Sequence, residues 1–399
     1  MKKIIFLSLG FPDVTVSTHL YTDLMHEFLK HGHDVLVMAP SFDNKKKTEQ
    51  VIESGMKIIR VPTVGVYGNN KFIKGFSNIL LPYQYKMALK KFKVDLDFDL
   101  VIMPTPPITL IDLAQWIKKK SKAKLYLILR DIFPQNAIDL KMMKANGMIH
   151  RYFRKKEIKV YNLADKIGCM SPANITYLKK HNLNLDDDKL HLLPNWENLQ
   201  NLNSAVSEAE IRKKYELENK LIAIFGGSMG IPQQVENIIE LARKCIHLND
   251  LVFLLIGRGT EYEKISKMVT DLKLTNVILK KALPKPEYFE LLRISDIGLI
   301  SLNKDFTIPN FPSRVNSYYG LKIPILASVD ENTDFGVIQE AIGCGLYSKA
   351  GDTEAFMKNL LILYGDKKLR QQMGQKGYDY KLKNLLANNA YETIKTNIF

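Results

Sequence analysis

LIAIFGGSMGIPQQVENIIELARK, residues 221–244, is the stretch whose reading decides the fold. An apolar run breaks at Gly226-Gly227-Ser228-Met229-Gly230 and resumes with helical spacing, which reads as strand, glycine loop, helix. Free N–H groups in the first turn of a helix carry about half a positive charge, and glycines let a phosphate approach them closely. A phosphate cradle is therefore one reading of this loop. The other is an ordinary strand-to-helix turn, for which glycine is equally suited.

On both sides of this stretch the same alternation repeats. KKIIFLSL (2–9), HDVLVMAP (33–40), KIIRVP (57–62), LVIMP (100–104), AKLYLILRD (123–131) and KIGCMSP (166–172) are apolar runs of the kind that form buried parallel strands. Segments of helical period such as HLYTDLMHEFLKHG (19–32) separate them. The pattern restarts at 221 and continues through LVFLLIG (251–257), NVILKK (276–281), IGLISL (297–302) and PILAS (324–328). The expected class is α/β, doubly wound, with two Rossmann-like domains facing across a cleft and ligands at the carboxyl ends of the strands. Polar, Asn-rich LLPNWENLQNLNSAVSEAE (192–210) is the linker candidate, which divides the chain into domains at 1–195 and 196–377. The tail, 378–399, has helical spacing and lies beyond the last strand.

Size and composition agree with this division. At 399 residues with 46% hydrophobic content, the chain exceeds the length at which a single core stops growing. No run of about 18 uncharged apolar residues occurs, and MKKIIFLSLGFPD has too short an apolar stretch for a leader, so a first strand of a cytosolic protein is expected. Cys169, Cys245 and Cys344 are far apart and lack metal-ligand spacing, which predicts buried free thiols.

The net charge of +15 is unevenly placed: residues 1–200 hold 31 Lys and Arg against 19 Asp and Glu, the remainder 26 against 23. KFIKGFSNILLPYQYKMALKKFK (71–93) and KMMKANGMIHRYFRKKEIKVYN (141–162) interleave cations with large apolar residues, which suits an anionic membrane surface. An ordinary amphipathic helix with solvated lysines reads the same way. No nucleic-acid motif accompanies the charge, so no nucleic-acid partner is expected.

Several segments together resemble a known family. KHGHDVLVMAP (30–40), ADKIGCMSP (164–172), LLPNW (192–196), GGSMGIPQQ (226–234), LLIGRGTEYEKI (254–265) and FPSRVNSYYGLKIPIL (311–326) follow the order and spacing of a retaining GT-B glycosyltransferase of the family 4 type. RDIFPQ (130–135) looks like the Arg-Asp-Leu-Trp-Pro-Glu segment of the bacterial polysaccharide branch that includes fucosamine-type sugar transferases. The resemblance implies a GT-B architecture in which the C-terminal helix at 378–399 returns to the N-terminal domain. It further implies a UDP-sugar donor bound by the C-terminal half as co-substrate, with no cofactor and no metal.

By resemblance, Gly227, Ser228, Met229 and Gly230 meet the diphosphate, with Gln233 of the same segment beside them, and Arg314 supplies the cation that neutralises the leaving group. Ser313, Asn316 and Ser317 belong to the same donor segment. Arg258 follows a strand directly, where relatives carry an acidic residue, and reads as a phosphate contact or a solvated loop position. Pro284 sits where relatives hold the base through main-chain groups, or is a turn residue. The family's two glutamates eight positions apart align with Pro309 and Ser317, so neither carboxylate is present; Asp305 takes part of their work under a shifted alignment.

In the N-terminal half Asp131 follows the strand KLYLILR and reads as a base-like or sugar-positioning carboxylate, or as a helix cap. Arg130, Gly10 and His19 are the acceptor-side candidates, His19 reading equally as a structural side chain. The resulting expectation is an enzyme that moves a hexosamine or deoxyhexose from UDP to a glycan or polyprenyl-diphosphate-linked acceptor in surface polysaccharide synthesis. It would work in the cytoplasm, at the inner face of the plasma membrane. A UDP-sugar 2-epimerase and a non-catalytic nucleotide-sugar-binding partner remain as alternatives.

Overall fold

Buried parallel strands organise the chain into two units, Met1–Asn198 together with Ala387–Phe399, and Leu199–Leu386. The computed structural model describes residues 1–41, 43, 46–63, 71–199 and 206–399, and of 71–76 the backbone alone. The start of the basic segment at 71–93 and part of the linker at 192–210 thus lie outside the residues whose side chains are described.

Among the described residues, the first unit holds an eight-stranded sheet. Its strands are β1 (Lys3–Leu7), β2 (Asp34–Pro40), β3 (Glu49–Glu53), β4 (Met56–Val61), β5 (Leu100–Pro104), β6 (Lys124–Leu129), β7 (Lys166–Cys169) and β8 (Leu190–Leu192). Their order is β3-β4-β2-β1-β5-β6-β7-β8. All neighbours are parallel except β3 and β4, a hairpin whose two-residue turn puts Ser54 and Gly55 at φ 48° and 82°. Strand β3 escapes a search for apolar runs because it is an edge strand that alternates half-buried and exposed residues.

The second unit holds β9 (Leu221–Ser228), β10 (Leu251–Arg258), β11 (Val277–Lys281), β12 (Ile297–Ser301), β13 (Ile325–Val329) and β14 (Gly345–Lys349), ordered β11-β10-β9-β12-β13-β14 and parallel throughout. This is the doubly wound dinucleotide-type order, in which the chain leaves β9 toward one edge and returns to build the other. The continuous apolar run of β9 resolves into two faces. Ile222 and Ile224 enter one core cluster with Leu254, Ile300 and Ile325, while Ala223 and Phe225 enter another with Phe253, Leu255 and Leu299. Each such fully buried Ile, Leu or Phe contributes about 1.5–3 kcal/mol.

Strand β9 pairs with β10 along its whole length, from Leu221↔Leu251 to Ser228↔Arg258, but with β12 only at Ala223↔Ile297 and Ile224↔Gly298. Beyond Ile224 the two strands part. Tyr318, from the short helix Val315–Gly320, fills the gap: its hydroxyl lies 3.1 Å from the Ile224 carbonyl and 3.3 Å from that of Leu299. The chain's switch point is thus plugged by a side chain whose polar end replaces missing ladder bonds.

The tail differs from the single returning helix expected at 378–399. One helix, Lys367–Asn384, stays in the second unit through residue 384, and Leu385 joins that unit's core. Only the helix Ala387–Ile398 belongs to the first unit, where Tyr391 packs edge-on to Phe28 at 5.0 Å and its hydroxyl meets His33 Nε2 at 3.0 Å. The division between units falls after Asn198 rather than at 195, since Trp196 is buried in the first core and its indole N–H donates to the Leu20 carbonyl. The three cysteines are buried and free.

Candidate functional site

At the carboxyl end of β9, Gly227 adopts φ +121°, a conformation that residues with a side chain rarely reach. The space where its Cβ would stand is faced by the Arg314 guanidinium, 3.7 Å away, which in turn lies over the Phe225 ring at 4.1 Å. Arg314 Nη1 is buried and has no hydrogen-bond partner among the described residues. Burial disfavours its charge, and the phenols of Tyr318 and Tyr288 oppose that effect. Tyr288 comes from the helix Lys285–Arg293 and presses on Gly226, where a Cβ would fall 2.0 Å from its hydroxyl. A half-buried cation with no counter-charge among the described residues, at a switch point and beside a bent glycine, is an arrangement suited to an anion.

The loop's own amides are arranged differently from the cradle expected. The Met229 N–H donates to the Arg258 carbonyl at 2.9 Å, and the Met229 side chain is buried in the core. The Gly230 N–H donates to Gln233 Oε1 at 3.1 Å, so Gln233 closes the turn on itself. A single 3₁₀ turn, Ile231–Gln233, followed by Gln234 at φ 37°, lets the Asn237 and Ile238 amides bond back to Gln234 and Val235. Two first-turn donors of the helix Glu236–Lys244 are therefore already spent, and the Glu236 side chain beside them is paired with Lys264. Gly227 and the exposed Ser228 are what the loop offers a ligand.

The remaining donor-side candidates divide by burial. Arg258 is exposed, and the glycines around it serve packing: a Cβ on Gly257 would lie 2.0 Å from the Gly227 carbonyl oxygen, and one on Gly259 2.2 Å from that of Met229. Pro284 is exposed and caps its helix, its carbonyl accepting the Tyr288 N–H at 3.0 Å. Ser313 is exposed and Ser317 half-buried; Asn316 is buried, and its carbonyl accepts a bond from the buried Lys381 ammonium at 2.9 Å. Pro309 is buried, and Asp305, the carboxylate of the shifted alignment, is exposed.

In the first unit the ends of β5 and β6 are tied together. Thr105 Oγ1 donates to the Asp131 carbonyl at 3.1 Å and accepts the Arg130 N–H at 3.2 Å. The Asp131 carboxylate accepts the Asn136 amide at 2.6 Å. Burial pushes this carboxyl up to about 6, against the opposing pull of the Ile132 N–H and of Asn136. A raised carboxyl at the carboxyl edge of a sheet suits proton handling or a sugar hydroxyl. Because the folded form holds its proton more tightly than a free aspartic acid does, its stabilising contribution is complete below about pH 4 and is lost as the pH rises through about 6. Asp131→Asn is therefore expected to stabilise the fold at pH 7.5 by roughly 1–2 kcal/mol while lowering transfer at least about tenfold. Denaturant melts at pH 5 and 7.5 beside initial rates check this; unchanged rates would remove Asp131 from the site.

His19 has both ring nitrogens committed: Nδ1 accepts the Thr22 N–H at 3.3 Å in a helix cap, and Nε2 lies 3.2 Å from the Gly10 carbonyl. It holds the loop after β1 rather than presenting a free imidazole. Gly10 has nothing within 4 Å of a Cβ position, so no close contact requires glycine there. Sequence reading missed Tyr288 and Thr105, which sit in segments of ordinary composition, and passed over Phe225 and Tyr318, which lay inside quoted stretches.

A groove of about 240 Å³ lined by Lys3, Asp34, Lys57 and Asp95 lies at the amino ends of β1, β2 and β4, the edge where open α/β sheets do not bind ligands. Among the described residues no group of three His, Cys, Asp or Glu side chains is placed to share a metal ion, and no helix is long and apolar enough to cross a membrane.

Comparison with known proteins gives consistent results. Residues 16–200 match the family described as Glycosyltransferase Family 4, and residues 207–380 match Glycosyl transferases group 1. The chain is 23% identical over 261 residues to "Probable glycosyltransferase WbjE" of Pseudomonas aeruginosa, an alignment covering 65% of this chain and 64% of that one, just under two thirds of the relative's length. Its fold resembles that of WaaG, a glycosyltransferase involved in lipopolysaccharide biosynthesis, with TM-score 0.68 at 13% identity over 98% of this chain and 99% of that one. It also resembles Anabaena HepE, solved with UDP and glucose, with TM-score 0.71 at 12% identity over 100% and 99%. With two Rossmann-like units and family matches that together run over nearly its whole length, the chain belongs to the GT-B glycosyltransferases.

Proposed function

We propose that the protein is a retaining glycosyltransferase that moves a hexosamine or deoxyhexose from a UDP-sugar to a glycan or polyprenyl-diphosphate-linked acceptor in bacterial surface polysaccharide synthesis. The observation that carries the donor half of this reading is the Arg314 guanidinium, its Nη1 buried without a hydrogen-bond partner, against Gly227 at the sheet's switch point. A diphosphate placed there gathers charge as the glycosyl bond breaks, and a fixed guanidinium in a desolvated setting favours that state over the bound substrate. In this scheme the leaving phosphate takes the acceptor's proton on the face it departs from, so the protein need supply no nucleophile and no metal. Asp131 then positions a sugar hydroxyl in the first unit.

The acceptor half of the reading draws on the surface of the first unit. Ile79, Leu80, Tyr83 and Met87 are exposed on the helix Lys71–Lys91, and Met148, Ile149 and Tyr152 on the helix Met148–Leu163. Lys90, Arg151 and Lys155 are exposed among them. Apolar side chains ringed by cations suit the headgroup layer of an anionic bilayer, where a lipid-linked acceptor resides.

A thermal-shift panel tests the donor assignment. UDP at about one hundred times its dissociation constant adds about 2.7 kcal/mol, so UDP should raise the melting point while NAD and ATP leave it unmoved. Incubation with UDP-GlcNAc alone should release UDP slowly without forming an isomeric sugar. An isomeric product would indicate an epimerase, and no UDP response at all would defeat the reading.

A further inference from the structure

A second guanidinium lacks a counter-charge among the described residues, and it lies in the first unit. Arg130 is the residue immediately after β6, and Thr105 Oγ1 at the end of the neighbouring strand fixes its backbone amide. Its Nη1 is buried without a hydrogen-bond partner among the described residues. Asp131 next to it does not serve: its carboxylate is held by Asn136 and the Ile132 N–H, and successive side chains along an extended chain point to opposite faces. The Tyr21 phenol is near enough to act on the Arg130 guanidinium, and burial keeps that phenol neutral, so it supplies no counter-charge.

Tyr21 stands in a wall of rings, 5.3 Å from Phe6, 5.4 Å edge-on from His19 and 6.4 Å from Trp196. Those contacts hold the phenol in place. A buried guanidinium nitrogen left without a partner is costly, and a bound anion is one arrangement that satisfies it. The planar guanidinium offers paired donors matched to the oxygens of a phosphate, and a phenol beside it offers one more. Position adds to this, since open α/β sheets bind ligands beyond the carboxyl ends of their strands.

We infer that Arg130, with Tyr21, forms an oxyanion site for a phosphate group carried by the acceptor, distinct from the donor diphosphate site at Arg314. The inference rests on the glycosyltransferase reading for its word acceptor; the site itself rests on the first unit's geometry. The phosphate belongs either to a sugar phosphate or to the diphosphate of a lipid carrier.

The test uses the full chain saturated with UDP, so that the Arg314 site is filled, and measures binding of pyrophosphate, glucose 6-phosphate and a short-chain prenyl diphosphate by calorimetry. The parent protein should bind at least one of them. Arg130→Gln should weaken that binding at least tenfold, Arg130→Lys should restore part of it, and Tyr21→Phe should weaken it a few-fold. UDP binding should be unchanged in all three variants, which also shows that they are folded. Tighter binding of the prenyl diphosphate assigns the phosphate to a lipid carrier, and tighter binding of glucose 6-phosphate to a sugar. Absence of any second anion on the parent, or equal binding by the Gln and Lys variants and the parent, overturns the inference. Loss of UDP binding by the parent would instead defeat the donor reading and leave the phosphate arm to be judged on UDP-free protein by the same variants.

Discussion

Arg314→Gln is expected to abolish most of the UDP-dependent rise in melting point and to lower transfer by about 10²–10³-fold, the usual consequence of removing a donor aimed at developing negative charge. The same substitution should leave the ligand-free protein as stable as the parent or more so, because the guanidinium it removes is buried with Nη1 unpartnered. That pairing of outcomes separates loss of a ligand contact from general damage. Arg314→Lys should fall between the two: it keeps the charge but not the planar group that lies 4.1 Å over Phe225. Thermal shifts with and without UDP, read beside initial rates, decide the matter. An undiminished UDP response in Arg314→Gln would move the donor site elsewhere.

A large effect on stability is expected from Gly257→Ala. Its new methyl would meet the Gly227 carbonyl oxygen at 2.0 Å, and the obstacle is backbone rather than a side chain that can swing aside. Strands β9 and β10 are paired at this very position, Gly257↔Gly227, so relief requires them to separate at their carboxyl ends. A loss of about 3 kcal/mol is the expected scale for such overpacking, which for a unit the size of Leu199–Leu386 lowers its melting point by roughly 6–12 °C. Because the displaced residue is Gly227, the UDP response should fall as well. Gly10→Ala is the matched control: nothing lies within 4 Å of its Cβ position, and the change should stay within about 0.5 kcal/mol. Melting curves of the two variants against the parent check both statements, and a Gly257→Ala protein as stable as the parent would show that the close approach at β9 and β10 is unnecessary.

Much of the architecture was legible because buried parallel strands announce themselves as apolar runs. The runs at 221–225, 251–257, 276–281, 297–302 and 324–328 became β9 to β13, and 2–9, 33–40, 57–62, 100–104, 123–131 and 166–172 became six of the first unit's strands. What escaped were β3, β8 and β14, short or edge strands whose residues alternate or are only partly covered. The site was legible in part. Gly227 and Arg314, taken from two separate motifs, sit close together, whereas the Met229 amide bonds to Arg258 on β10 and the Gly230 amide to Gln233. No pattern of residue types reveals that a 3₁₀ turn will consume the amides of a helix's first turn. Nor does composition show that Tyr318 closes the gap between β9 and β12, since its partners are carbonyls sequence-distant from it.

The helix Ala387–Ile398 lies in the first unit although the whole second unit precedes it along the chain. Tyr391 and Ile394 from this helix are part of the same buried cluster as Leu24 and Phe28. On the ribosome, then, the half that is made first is the half that finishes last: its outer layer stays incomplete until every residue of the other half has been polymerised. A gene cut after codon 198 would yield a half lacking one of its own walls, and separating the two halves as working fragments calls for a permuted chain in which residues 387–399 are grafted back.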